Sequence, residues 1–214
     1  MNKIRRTLIA ALAAAAAPIP FALRAQPAGN PGYSTLANVL PVDHPAKVEV
    51  AEFFWYGCIH CYHLEPTLEA WVPKLPSDAY FRRIPAVFND RWALDAAIYY
   101  GFESLGVLGR VHRPFFDAIH KDRLKTDNPE ALNEWLGRNG IDRMKLDEAM
   151  KSFGVQTKVK RAAQFSAASK IDGTPALMVQ GRYTISTEQG GSKEGMLANA
   201  ERLIPVVRKT LAAK

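Results

Sequence analysis

The chain's two cysteines stand together in Cys58-Ile59-His60-Cys61, directly after the run Val-Glu-Val-Ala-Glu-Phe-Phe-Trp at residues 48–55. A run this rich in β-branched and aromatic residues predicts a buried strand. Gly57 ends it, and a helical pattern starts near Cys58. Residues 80–87 predict a second strand, its end weakened by Pro85. Strand, crossover helix and strand make a βαβ unit, so the cysteines fall where a strand feeds a helix N-terminus.

The rest of the chain is organised around that unit. Residues 33–40 predict a short first strand. From Trp92 to Ser169 the pattern is helical: 93–107 carries Ala93, Ala96, Ala97, Tyr100 and Leu105 at helical spacing, Asn128-Pro129-Glu130 resembles a helix start, and Gly140 a stop. Residues 142–153 and 155–171 are two further amphipathic candidates. Residues 176–179 and 183–185 flank Gln180-Gly181-Arg182 as a hairpin, and 193–211 predicts a last amphipathic helix with a kink at Pro205. The order is β-β-α-β, a helical block, then α-β-β-α, which makes the block an insertion in an α/β fold.

The first 25 residues carry a pattern of their own. Lys3, Arg5 and Arg6 precede an apolar run over 7–17, Pro18 and Pro20 interrupt it, and Ala25-Gln26 offers a cleavage point. This is the pattern of a cleavable secretory signal over 1–25; a membrane anchor would need about 20 uninterrupted apolar residues. The signal holds four of the 28 basic residues (Lys3, Arg5, Arg6, Arg24) and none of the 21 acidic ones, so the formal charge falls from +7 to +3. Nucleic-acid binding thereby loses its compositional motive. No later stretch is long and apolar enough to span a bilayer, and the expected compartment is exported and oxidising.

Four readings compete for the cysteine pair. A structural disulfide closing so small a loop stabilises little. A metal site or metal-binding chaperone module could use Cys58, His60, Cys61 and His63, but a structural zinc site usually takes a second ligand pair, and there is no further cysteine. Haem attachment requires histidine directly after the second cysteine, where Tyr62 stands. Thiol–disulfide exchange is the favoured reading. The reactive species is the thiolate, and Cys58 at the helix start faces unpaired backbone N–H groups and the positive end of the dipole. Cys61, one turn in, is expected to be more buried and to act as the resolving thiol. Lowering a thiol pKa by ~3 units takes about 4 kcal/mol. The dipole supplies ~0.3–1 kcal/mol, so hydrogen bonds to the sulfur must supply the rest, with His60 the local candidate.

Glu52-Phe53-Phe54-x3-Cys58-x-His60-Cys61-Tyr62, the helical block, and Gly173-Thr174-Pro175-Ala176 before a hairpin together resemble the bacterial DsbA family of periplasmic thiol:disulfide interchange proteins. The resemblance implies a thioredoxin fold with an inserted all-helical domain, split as 33–89, 90–162 and 163–214. It implies a periplasmic monomer that donates a Cys58–Cys61 disulfide to newly exported, reduced polypeptides. Reoxidation by a quinone-linked membrane partner of the DsbB type is implied too, with no cofactor beyond the redox-active disulfide. Carried over, Cys58 is the nucleophile, Cys61 the resolving thiol, His60 the thiolate-stabilising histidine and Glu52 the acidic residue under the site. Thr174-Pro175 becomes the substrate-binding loop with a cis proline; independently, a proline directly before a strand fits the edge of a peptide-binding groove. Ile59 stands where many members carry proline, and Pro66 follows Cys61 by five positions, as in thioredoxin's own kinked helix.

Other readings stand beside these. Glu52 in an apolar strand is costly unless paired or functional, the alternative being a solvated glutamate at a sheet edge. Phe53, Phe54, Trp55 and Tyr56 are expected in the core or the rim of the site. His63, His112 and His120 carry no second feature. A disulfide isomerase or reductase is the alternative redox activity; such relatives carry an N-terminal dimerisation domain, for which residues 27–45 are too few.

Overall fold

The computed structural model describes residues 32–212, so the expected signal over 1–25 lies outside the described residues. Strand β2 (Val48–Phe54) is buried along its whole length. It lies between β3 (Ala79–Pro85), which it meets in parallel, and β4 (Ala176–Val179), which it meets antiparallel. The hairpin partner β5 (Tyr183–Ser186) and the two-residue β1 (Ser34–Thr35) complete a sheet ordered β1-β5-β4-β2-β3. An inner strand covered on both faces needs no strict polar alternation, and residues 48–54 are apolar but for Glu49 and Glu52, both buried. Side chains still alternate. Val48 and Val50 pack with Leu64 and Leu68 of α1 (Ile59–Trp71) and Leu203 of α8 (Lys193–Ala212). Ala51 and Phe53 pack with Ile84, Met178 and Ala162 on the other face.

Between β3 and β4 run α2 (Asp90–Ser104), α3 (Leu108–His120), α4 (Pro129–Arg138), α5 (Arg143–Lys151) and α6 (Phe153–Ala168). Side chains at four of the starts satisfy orphan N–H groups: Asn89 accepts from Trp92, Asn128 from Ala131, Asp142 from Lys145 and Ser152 from Val155. Phe102, Val111, Phe115, Phe116, Trp135 and Leu146 of this block share one buried cluster with Phe54, Tyr56 and Cys61. The helical core and the cysteine end of β2 are therefore a single packed unit.

Several elements differ from expectation. Beyond Thr35 the first segment keeps only isolated backbone bonds to the hairpin turn, Leu36 N–H to Arg182 O at 2.7 Å and Leu40 N–H to Gly181 O at 2.8 Å. The helix expected over 93–107 starts at Asp90 and stops at Ser104, because Gly106 takes a left-handed φ of 68° and α3 begins anew. Helix α6 runs unbroken through 162 and 163. A one-turn helix, α7 (Thr187–Gly190), follows β5 on a Ser186/Gln189 capping box. Among the described residues no helix is long and apolar enough to cross a membrane.

Candidate active site

Cys58 is the N-cap of α1. Its backbone is extended (φ −85°, ψ 112°), its N–H donates to Trp55 O at 3.0 Å, and its sulfur accepts from the Cys61 N–H at 3.2 Å. The sulfur thus takes the place of the hydroxyl or carboxylate oxygen usual at this position. Gly57 is required by close approach, since a Cβ there would lie 2.3 Å from the Trp55 ring. That ring has little room to yield: Trp55 Nε1–H donates to Asp95 Oδ2 at 2.7 Å, and the indole stacks on Trp92 with centroids 4.4 Å apart.

The two free thiols are pushed in opposite directions. Cys58 is lowered from 9.0 to about 6, first by a hydrogen bond from the Cys61 thiol, which outweighs burial. The Thr174 side chain and the backbone N–H groups of Cys61 and His60 add to the lowering. Cys61 is pushed well above 9.0 by burial and by its bond to Cys58. His60 itself is exposed on the first turn. The structure brings its backbone N–H to Cys58, and among the described residues its ring makes no hydrogen bond there.

Thr174 and Pro175 are joined by a cis peptide bond, and the Cys58 S–H donates to the Thr174 carbonyl at 3.2 Å. The sheet register sets this approach: Phe53 of β2 pairs with Ala176 at the start of β4, so the residues just before Ala176 face the turn that carries Cys58.

Glu52 is on no sheet edge. It is fully buried in the inner strand, on the face that carries Val50 and packs against α1. Neither carboxyl oxygen has a hydrogen-bond partner; the cation Arg83 lies at 3.5 Å, Nε to Oε2. Burial, with the charge of Glu65 added and Arg83 opposing, raises its pKa from 4.5 to about 8.

A network that sequence reasoning missed completes the floor of the site. Arg83 sits opposite Glu52 in the parallel register and grips Glu65 with two bonds, 3.2 Å from Nε and 2.8 Å from Nη2. Burial would raise Glu65, but the hydrogen bond to His112 and the Arg83 charge outweigh it and hold the carboxyl below its ordinary value. His112 Nε2 lies 3.4 Å from Glu65 Oε1, and His112 Nδ1 lies 2.9 Å from the Tyr56 hydroxyl. Burial lowers the His112 imidazole. His120 meets the Tyr56 carbonyl through Nε2 at 2.8 Å. Glu65 could have been found, one turn beyond Cys61 on the same helix face. Arg83 needs the strand register and His112 the docking of α3, and neither is local information. Among the described residues, no group of three or more His, Cys, Asp or Glu side chains is placed to hold a metal ion.

A family model described as the DsbA-like thioredoxin domain matches residues 79–200. The thiol:disulfide interchange protein DsbA of Azotobacter vinelandii is 41% identical over 172 residues, 80% of this chain and 80% of that protein. Its counterpart from Bordetella parapertussis is 38% identical over 210 residues, 98% of this chain and 100% of the relative. A crystal structure of Pseudomonas aeruginosa DsbA superposes with a TM-score of 0.79 at 37% identity, covering 86% of this chain and 95% of that one.

Proposed function

The chain belongs to the DsbA family of thiol:disulfide oxidoreductases, and on that premise we propose that it is a periplasmic dithiol oxidase donating a Cys58–Cys61 disulfide to newly exported proteins. The observation that carries this reading is the opposite treatment of the two sulfurs: Cys58 lowered to about 6 at the helix cap, Cys61 buried and pushed up. A stabilised Cys58 thiolate favours the dithiol form, and a protein whose dithiol is favoured is an oxidant as a disulfide.

A client thiolate attacks Cys58 Sγ, the Cys58–Cys61 bond breaks, and Cys61 leaves as a thiolate. Glu52, protonated below about pH 8, supplies the proton that Cys61 takes up. A second client thiolate attacks the client's own sulfur in the mixed disulfide, forming the client disulfide and expelling Cys58 as its stabilised thiolate. The client has lost two electrons and the enzyme has gained them. A quinone-linked membrane partner of the DsbB type removes them, and no other cofactor is needed. Thr174 and cis Pro175 line the client's path, and His60 contributes to the thiolate through its backbone. Helices α2–α6 act as the inserted domain, and residues 1–25 as the signal that exports the chain.

Equilibrating the chain with glutathione buffers and reading the Cys58–Cys61 state by alkylation and mass tests the proposal. A potential well above the about −270 mV of thioredoxin is expected, with exchange abolished in Cys58→Ser. A potential near thioredoxin's would transfer the protein to the reductase or isomerase class.

A further inference from the structure

The buried chain Tyr56–His112–Glu65–Arg83–Glu52 brings α3 of the helical block into the floor of the redox site. We propose that His112 is a positioning residue: by donating to Glu65 it fixes which of the two buried carboxyls keeps a proton, and so holds the proton on Glu52, beside the cysteines. This rests on the reading that Glu52 protonates Cys61.

Glu52 and Glu65 flank a single guanidinium, Arg83, and are both fully buried. Two carboxylates sharing one such site cannot both ionise cheaply, so near neutral pH one proton is divided between them. What breaks the tie is asymmetric. Glu65 receives two bonds from Arg83 and one contact from His112, whereas neither oxygen of Glu52 receives a hydrogen bond. A carboxylate is acceptor-only, so the Glu65 contact assigns the donor to Nε2–H of a neutral imidazole, leaving Nδ1 to accept from the Tyr56 hydroxyl. One tautomer satisfies both neighbours. With Glu65 thus supplied, the ionised form settles there and the proton settles on Glu52.

The groups facing each member come from several elements. Around His112 they are Tyr56 of the turn between β2 and α1, Glu65 and Glu69 of α1, Arg83 of β3, and Tyr99 of α2 with its ring centroid at 5.9 Å. Around Glu52 they are Glu65, Arg83, Cys58, Cys61 and Tyr99.

The test uses the full chain labelled with carboxyl-13C glutamate, titrated by NMR, with Glu52 assigned through Glu52→Gln. In His112→Phe the Glu52 midpoint is expected to fall by about 1–3 pH units while that of Glu65 rises. His112→Gln, whose amide reaches toward Glu65, is expected to restore the native midpoints. His112→Asn, long enough for Tyr56 but not for Glu65, should match His112→Phe. The Asn and Gln pair decides the matter even if the Phe variant does not fold. In the dithiol form, His112→Phe should also raise the Cys58 midpoint, and that rise should vanish in a Glu52→Gln background. An unmoved Glu52 midpoint in His112→Asn, or an equal change of Cys58 with and without Glu52, overturns the proposal. Failure of the underlying reading looks different: Glu52→Gln alone would leave the pH profile of client oxidation unchanged.

Discussion

Replacing Glu52 with glutamine should stabilise the dithiol protein by an amount that depends on pH in a defined way. The carboxyl pKa is raised from 4.5 to about 8, so between those values the folded state holds a proton that the unfolded chain has released. Stability therefore falls as pH rises through that window, by about 1.4 kcal/mol per pH unit. The loss is about 3 kcal/mol at pH 7 and about 5 kcal/mol in full above pH 8. Glutamine cannot ionise and escapes this loss. Its own burial cost displaces the whole comparison equally at every pH, so the slope carries the prediction. Urea unfolding of both proteins under reducing conditions, at several values between pH 4.5 and 8.5, gives the difference in stability at each. The difference should widen steadily in favour of glutamine up to about pH 8 and then level off. A difference that stays constant across the window would refute the account of Glu52 as a carboxyl kept neutral by burial.

Two further outcomes follow from the same packing and charge. Thiolate absorbance of the dithiol form should titrate with a midpoint of about 6, and the stability the thiolate lends the reduced fold should fade as pH drops from 9.0 to about 6; a midpoint near 9.0 would contradict it. Phe116→Ala should cost about 3–5 kcal/mol in denaturant unfolding, because Phe116 is fully buried against Phe54, Tyr56 and Tyr62, and a loss under about 1 kcal/mol would mean that the helical block is packed otherwise.

The sequence made the chemistry legible where the signal was local. The apolar run at 48–54, the glycine after it and the paired cysteines define a strand, a turn and a helix start without reference to anything distant. Asn128, Asp142 and Gly140 mark helix ends for the same reason. What needed the third dimension was Glu52. A glutamate in an apolar run reads equally as an edge residue or a buried one until strand order is known, and the inner position of β2 decides it. His60 shows the opposite case. Its proximity to Cys58 in sequence made the imidazole the natural donor, yet a side chain on the outer face of the first turn points to water while the peptide N–H points along the helix toward the sulfur. Arg83 and His112 had no local mark at all, since one depends on register and the other on how two helices dock.

Asn89, Asn128, Asp142 and Ser152 begin their helices with oxygens that have no other chemistry, whereas α1 begins on a sulfur. On the proposed cycle that sulfur is a charged acceptor when the client has left and a neutral, weaker one while the client is attached. The cap thus stays neutral through capture, gains its charge and tightens the first turn of α1 on release, and loses it again when the Cys58–Cys61 disulfide is remade. The strength of one helix cap therefore follows the redox state of the site.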